Sequence, residues 1–182
     1  MITTRLMTVD DLDVMGEEGE GLELFDGVPV EHPGVSMRLG YLVFEIGVPL
    51  GLFVKQGRLG YLFSSATQFT LARNPDVVVK PDLSFIREER MPPEEEHDRI
   101  ARIAPDFVVE IVSPTDRMGD VLGKIGRYQA AGVPLVWVVD PVARTVAVYE
   151  LGRAPRTLGV GGMLDGGEVF PGFTLAVADI FA

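Results

Sequence analysis

Two Pro-Asp dipeptides each open an apolar run: Pro81-Asp82-Leu83-Ser84-Phe85-Ile86, and Pro105-Asp106-Phe107-Val108-Val109-Glu110-Ile111-Val112. The second run carries Glu110, and a helix-like stretch after it carries Lys124. Both runs read as buried strands, where an ionisable side chain is costly unless something compensates it. An Asp on one strand, a Glu on its neighbour and a nearby Lys could hold a divalent cation and a water beside a phosphodiester. Two carboxylates brought together repel each other, and a bound Mg²⁺ would relieve that repulsion. The metal would lower the pKa of a bound water and stabilise charge building on a phosphoryl oxygen. The Lys124 ammonium could point at the attacking water or at the same oxygen.

Each residue also has a plainer reading. Asp82 could be a strand-entry residue bonded to backbone, and for Asp106, in the same local setting, that reading leads. Glu110, inside Phe-Val-Val-Glu-Ile-Val, needs either a metal or a buried Arg or Lys as partner. Lys124 lies four residues after Asp120, the spacing of a helix-surface ion pair. Trp137 and Phe107 read as core, and His97 as an exposed loop residue. Other catalytic signatures are missing. Gly123-Lys124 lacks the upstream glycine of a phosphate-binding loop and is followed by Ile125, and there is neither a Gly-x-Ser-x-Gly nor a His-Glu-x-x-His motif.

The elements that must position these residues are legible from pattern. Thr8 with Asp10 and Asp11 predicts an N-cap and a short helix ending near Gly16. Asp26-Gly27 between 22–25 and 28–30 predicts a hairpin. Apolar residues at 35, 39, 42, 43, 46 and 50 have helical spacing, with Pro49 expected to kink or end the helix. Strands are expected at 59–63, 66–71, 76–79 and 82–86. An acidic, Pro-rich loop over 87–104 follows, then a strand at 107–112. Ser113-Pro114-Thr115-Asp116 reads as a turn into a helix over 117–131 that stops before Gly132. Strands at 135–139 and 144–150, glycine turns at 161–162 and 166–167, and a last helix near 176–181 complete the chain. Strand, helix and strand over 107–139 imply a parallel crossover. If the 82–86 and 107–112 strands are neighbours, their charged positions converge at one edge of the sheet.

Bulk properties narrow the chemistry. The 182 residues suffice for one domain with a real core, 1–182. With no cysteine there is no disulfide partner and no thiolate ligand, and His32 and His97 alone leave little for zinc, so oxygen ligands and Mg or Mn are favoured. The N-terminus has no apolar secretory core and carries Asp10, Asp11 and Asp13. The apolar stretch from Leu39 to Val54 falls short of the roughly 20 residues that span a bilayer and contains Glu45 and Pro49. No membrane partner and a cytoplasmic location are expected. A net charge of −11 argues against a general nucleic-acid-binding surface but not against a nuclease, and Arg117, Lys124 and Arg127 are the candidate local contacts. The acids from Glu88 to Asp98 read as a solvated loop.

The chain resembles the PD-(D/E)xK nuclease superfamily, and within it a bacterial group of restriction-endonuclease-like proteins. The resemblance rests on Leu22-Glu23-Leu24-Phe25-Asp26-Gly27, Pro81-Asp82, Val108 to Pro114, Gly123-Lys124, Tyr128 to Pro134, and Trp137 to Pro141. It implies an α/β restriction-endonuclease-like fold, a mixed central β-sheet flanked by helices. It also implies that Asp82 and Glu110 bind the metal, that the Ile111 carbonyl is a further ligand, and that Glu23 matches an acid contributed from the N-terminal region. The superfamily places its Lys two residues after the Glu, where this chain has Val112; in the resembling group the Lys sits on the next helix, which is Lys124. The His that relatives carry near the start of the long N-terminal helix has no match at Gly34 to Met37, with His32 a few residues early. The activity implied is metal-dependent DNA hydrolysis by an endonuclease, as a homodimer if both strands are cut. The alternative is a catalytically inactive binding or assembly protein that retains the fold, which the acidic balance and Val112 favour.

Overall fold

The computed structural model describes residues 5–31, 36–114 and 116–182. His32, Gly34, Val35 and Thr115 lie outside the described residues. Helix α1 (Val9–Met15) starts at the expected Thr8 N-cap, which proves to be a full capping box, with Thr8 Oγ1 accepting from the Asp11 N–H and the Asp11 carboxylate accepting from the Thr8 N–H, and one turn of helix, α2 (Glu17–Glu20), follows. The hairpin of β1 (Leu22–Phe25) and β2 (Val28–Glu31) turns on Asp26 and Gly27, both at positive φ. Gly27 has a second constraint there, since a Cβ would sit 2.7 Å from the Leu6 Cβ.

Helix α3 (Met37–Gly57) runs through Pro49 and ends eight residues beyond it. It is long and apolar enough to cross a membrane by length and composition, with a mean hydropathy of 1.5. Leu42, Ile46, Leu50 and Val54 nevertheless bury one face of it in the core. Strands β3 (Gly60–Ser64), β4 (Phe69–Ala72), β5 (Val77–Val79) and β6 (Leu83–Arg87) follow where the pattern placed strands. The acidic loop holds two single 3₁₀ turns, Glu88–Arg90 and Glu94–Glu96. Then come β7 (Phe107–Ile111), α4 (Met118–Ala130), β8 (Leu135–Asp140) and β9 (Thr145–Glu150). The glycine-rich tail, expected only as turns, builds β10 (Arg156–Gly159), β11 (Met163–Gly166) and β12 (Phe170–Ala176) before α5 (Val177–Ile180).

The central sheet has the order β10-β9-β8-β7-β6-β3 and is mixed: β7 and β8 are parallel, and the other pairs are antiparallel. Alternation along its strands feeds two cores. Leu83, Phe85, Phe107, Val109, Ile111, Leu135, Trp137 and Val139 face α3, α5 and the β11–β12 hairpin. Ile86, Val108, Val136 and Val138 face α4 and the second sheet, β2-β1-β5-β4. Phe107 and Trp137 meet edge to face at 5.0 Å in the first core, where both were expected.

Candidate active site

The β6–β7 register pairs Leu83 with Val109 and Ser84 with Val108, so one step further Asp82 lies opposite Glu110. Asp82 just precedes β6, and Glu110 is the penultimate residue of β7. Both strands are interior to the sheet, so the two acids meet at strand ends rather than along an edge strand. The parity that points Val108 at α4 points Glu110 the same way, into the layer between the central sheet and α4.

Asp82 is half-buried, and its Oδ2 accepts the Ile111 N–H at 2.7 Å. Burial pushes its carboxyl up to about 6; the Ile111 N–H and the Lys124 charge pull against that, while Asp116 and Glu23 add to it. Glu110 is pushed up to about 7, again chiefly by burial, with Lys124 opposing and Asp82 and Glu23 reinforcing. Lys124 comes from the second turn of α4. Its Nζ lies 3.0 Å from Glu110 Oε1, donates to Glu110 Oε2 at 3.1 Å, and is 2.8 Å from Glu23 Oε1. Burial pushes the ammonium down, but Glu110 and Glu23 outweigh it and hold it above its ordinary value. The alternative surface pair with Asp120 is not formed among the described residues, because the Lys124 side chain, 12% exposed, turns inward.

Glu23 does come to this cluster, from β1 of the second sheet and not from a helix. Its side chain is fully buried, and its Oε1 also accepts the Lys80 N–H at 2.5 Å. It therefore grips the chain two residues before Asp82. Ile111 lies buried at the end of β7, where its N–H makes the contact to Asp82. The structure thus gathers Asp82, Glu110, Lys124, Glu23 and Ile111 into one place. Val112, at the position where the superfamily keeps its Lys, packs half-buried against the α4-side core.

One participant was missed. The fully buried Tyr128 donates its hydroxyl to Glu110 Oε1 at 2.5 Å. Its signal was its place four residues after Lys124, on the same helix face. Other candidates fall away. Arg127 pairs with Asp26 at 2.8 Å and stacks over Phe25. His97 is exposed, with Nε2 2.9 Å from the Pro92 carbonyl. Asp106 is structural, as expected: it accepts from the Arg87 N–H at 3.0 Å and from Arg90 Nη1 at 2.7 Å.

No curated protein matches the chain. Among solved structures, a "putative nuclease belonging to DUF820 from Anabaena variabilis ATCC 29413" is 24% identical, with a TM-score of 0.84 over 96% of this chain and 97% of that one, and so has the same fold. A family profile described as "Putative restriction endonuclease" matches residues 9–178. The chain belongs to that family, Uma2.

Proposed function

We propose that the chain is a divalent-metal-dependent endonuclease that hydrolyses phosphodiester bonds in DNA. The observation that carries this reading is the reach of Lys124 Nζ from α4 to within 3.0 Å of Glu110, on the strand end opposite Asp82. A lysine displaced from the usual motif position still arrives at the carboxylate pair.

The residues fit Mg²⁺ or Mn²⁺. Asp82 and Glu110 are oxygen donors whose carboxyls are raised by burial and by neighbouring acids, Asp116 and Glu23 for Asp82 and Asp82 and Glu23 for Glu110, a strain that a cation relieves. Among the described residues no three His, Cys, Asp or Glu are grouped to hold a metal. Two carboxylates with water and phosphate completing the shell is the arrangement Mg²⁺ favours. The carbonyl of Ile111, next to Glu110, is the proposed additional ligand. When bound, the ion supplies a water of lowered pKa and charge stabilisation at the phosphoryl oxygen.

The chain's own residues do the rest. Lys124, flanked by two carboxylates, stays an ammonium and acts as a donor that orients the attacking water or meets the developing negative charge. Glu23, fully buried, holds Lys124 and the backbone leading to Asp82 in register. Exposed Arg117 follows Asp116, whose charge is felt at Asp82, and Arg38 lines a shallow groove with Ile111 and Ser113. These two are the proposed phosphate contacts near the acids, since Lys124 is buried and Arg127 is paired with Asp26. A homodimer would supply two sites for the two strands of a duplex.

A second reading, an inactive binding protein that retains the fold, is favoured by the net charge of −11. Nicking of supercoiled plasmid with Mg²⁺ or Mn²⁺, by wild type and by Asp82→Ala, separates the two. Metal-dependent nicking lost in the variant supports the nuclease; no nicking by wild type, or equal nicking by both, overturns it.

A further inference from the structure

Tyr128 stands one helical turn beyond Lys124 on α4, with its ring among Val108, Ile125, Val133 and Val136. A phenylalanine would satisfy that apolar packing equally well. The hydroxyl therefore answers to something else, and its partner is Glu110 Oε1 at 2.5 Å.

Lys124 alone does not decide how the Glu110 carboxylate sits. Its Nζ is 3.0 Å from Oε1 and 3.1 Å from Oε2, and an ammonium is a compact charge with freely turning donors. A phenol is directional and held by a ring with two torsions. Tyr128 breaks the tie: Oε1 receives the phenol and lies 3.0 Å from the ammonium, while among the described residues Oε2 receives one hydrogen bond, from the ammonium at 3.1 Å. Asp82 is divided in the same way. Its Oδ2 takes the Ile111 N–H, and its Oδ1 accepts no hydrogen bond among the described residues. The protein's side chains thus engage Glu110 Oε1 from two sides and Oε2 from one, and a backbone N–H engages Asp82 Oδ2 and not Oδ1.

We propose that Tyr128 is a positioning residue whose hydroxyl fixes the Glu110 carboxylate so that Oε2, the oxygen with the phenol not on it, is offered with Asp82 Oδ1 to the divalent cation. The identity of the cation rests on the nuclease reading above; the orientation of Glu110 does not.

The test is Tyr128→Phe, which keeps the ring and its packing, with folding checked by thermal melting. Three quantities are measured: Mn²⁺ affinity by calorimetry on metal-free protein, kcat and KM for plasmid nicking over a range of Mn²⁺, and the crystal structure of the metal-free variant. Partners of metal ligands of this kind are worth roughly 10–100-fold in metal affinity. The expected result is a loss of that size in Mn²⁺ affinity, and a fall in kcat that excess Mn²⁺ restores. KM for DNA is unchanged, and the Glu110 carboxylate is turned from its wild-type orientation. Mn²⁺ affinity within twofold of wild type overturns the proposal, and so does an unmoved carboxylate. A wild type that binds no Mn²⁺ and nicks nothing instead defeats the nuclease reading, and the crystal structure of the variant then decides the orientation of Glu110 by itself.

Discussion

Lys124 Nζ lies 2.8 Å from Oε1 of Glu23, a carboxylate on the second sheet with no exposure to solvent. The same ammonium reaches Glu110 on the central sheet, so one side chain from α4 ties both sheets together. Removing it would leave Glu23 and Glu110 buried without their cation.

Lys124→Met should therefore lower stability by about 3–5 kcal/mol, the usual cost of breaking a buried pair from one side. Urea denaturation of metal-free protein measures it. A loss under about 1 kcal/mol would mean that the carboxylates discharge or rehydrate without penalty.

Asp82→Asn should behave in the opposite way. The amide oxygen can still accept the Ile111 N–H, and one of two facing charges is gone. Stability at pH 8 should be equal to or above wild type, while metal-dependent nicking falls at least about a hundredfold, the scale of losing several kcal/mol of charge stabilisation. A variant that nicks normally would remove Asp82 from the metal site.

The pH dependence follows from carboxyls raised in the folded state, Asp82 to about 6 and Glu110 to about 7, from ordinary values of 3.8 and 4.5. Between about pH 4 and 7 the folded form holds more protons than the unfolded one, so stability falls as pH rises. Lys124, raised, stays charged across this window, and Asp76, lowered despite burial by the Val9 and Asn74 N–H groups, acts below it. Metal-free protein should unfold at a higher denaturant concentration at pH 5 than at pH 8, and Mn²⁺ added at pH 8 should recover the difference. A flat or rising profile without metal would contradict the assigned burial of these acids.

The second Pro-Asp should separate cleanly from the first. Asp106, 3% exposed, accepts from Arg90 and from the Arg87 backbone. Asp106→Ala strands the part-buried Arg87 N–H and takes one of the two acceptors from the Arg90 guanidinium, and should cost about 2 kcal/mol. The folded fraction should nick plasmid at the wild-type rate per folded molecule. A large fall in that specific rate would tie Asp106 to the chemistry.

Local signals in the sequence sufficed for what local physics decides. The Thr8 N-cap, the Asp26-Gly27 turn, the apolar runs of β6, β7 and β8, and the α4 helix before Gly132 each depend on a few adjacent residues, and each is found as expected. The α3 helix outran its Pro49 because its buried face, Leu42 to Val54, is held by the central sheet, which outweighs the local cost of a proline. Strands β10 to β12 were not legible: β10 and β11 have four residues each, β12 is broken near its start by Pro171 and Gly172, and they are held by pairing partners along the chain and by the core around Phe170 and Phe173.

The candidate site divides along the same line. Two costly acids in apolar strands, Asp82 and Glu110, announced themselves in one dimension, because burying a carboxylate demands an explanation wherever it occurs. Whether Lys124 served Asp120 on the helix surface or Glu110 in the interior could not be read from spacing, since both partners suit a lysine on that helix. Tertiary packing decided it. The β6–β7 register set Asp82 opposite Glu110, the second sheet delivered Glu23, and α4 laid Lys124 and Tyr128 over them both, because only contacts between residues far apart in the chain determine which charges share a low-dielectric space.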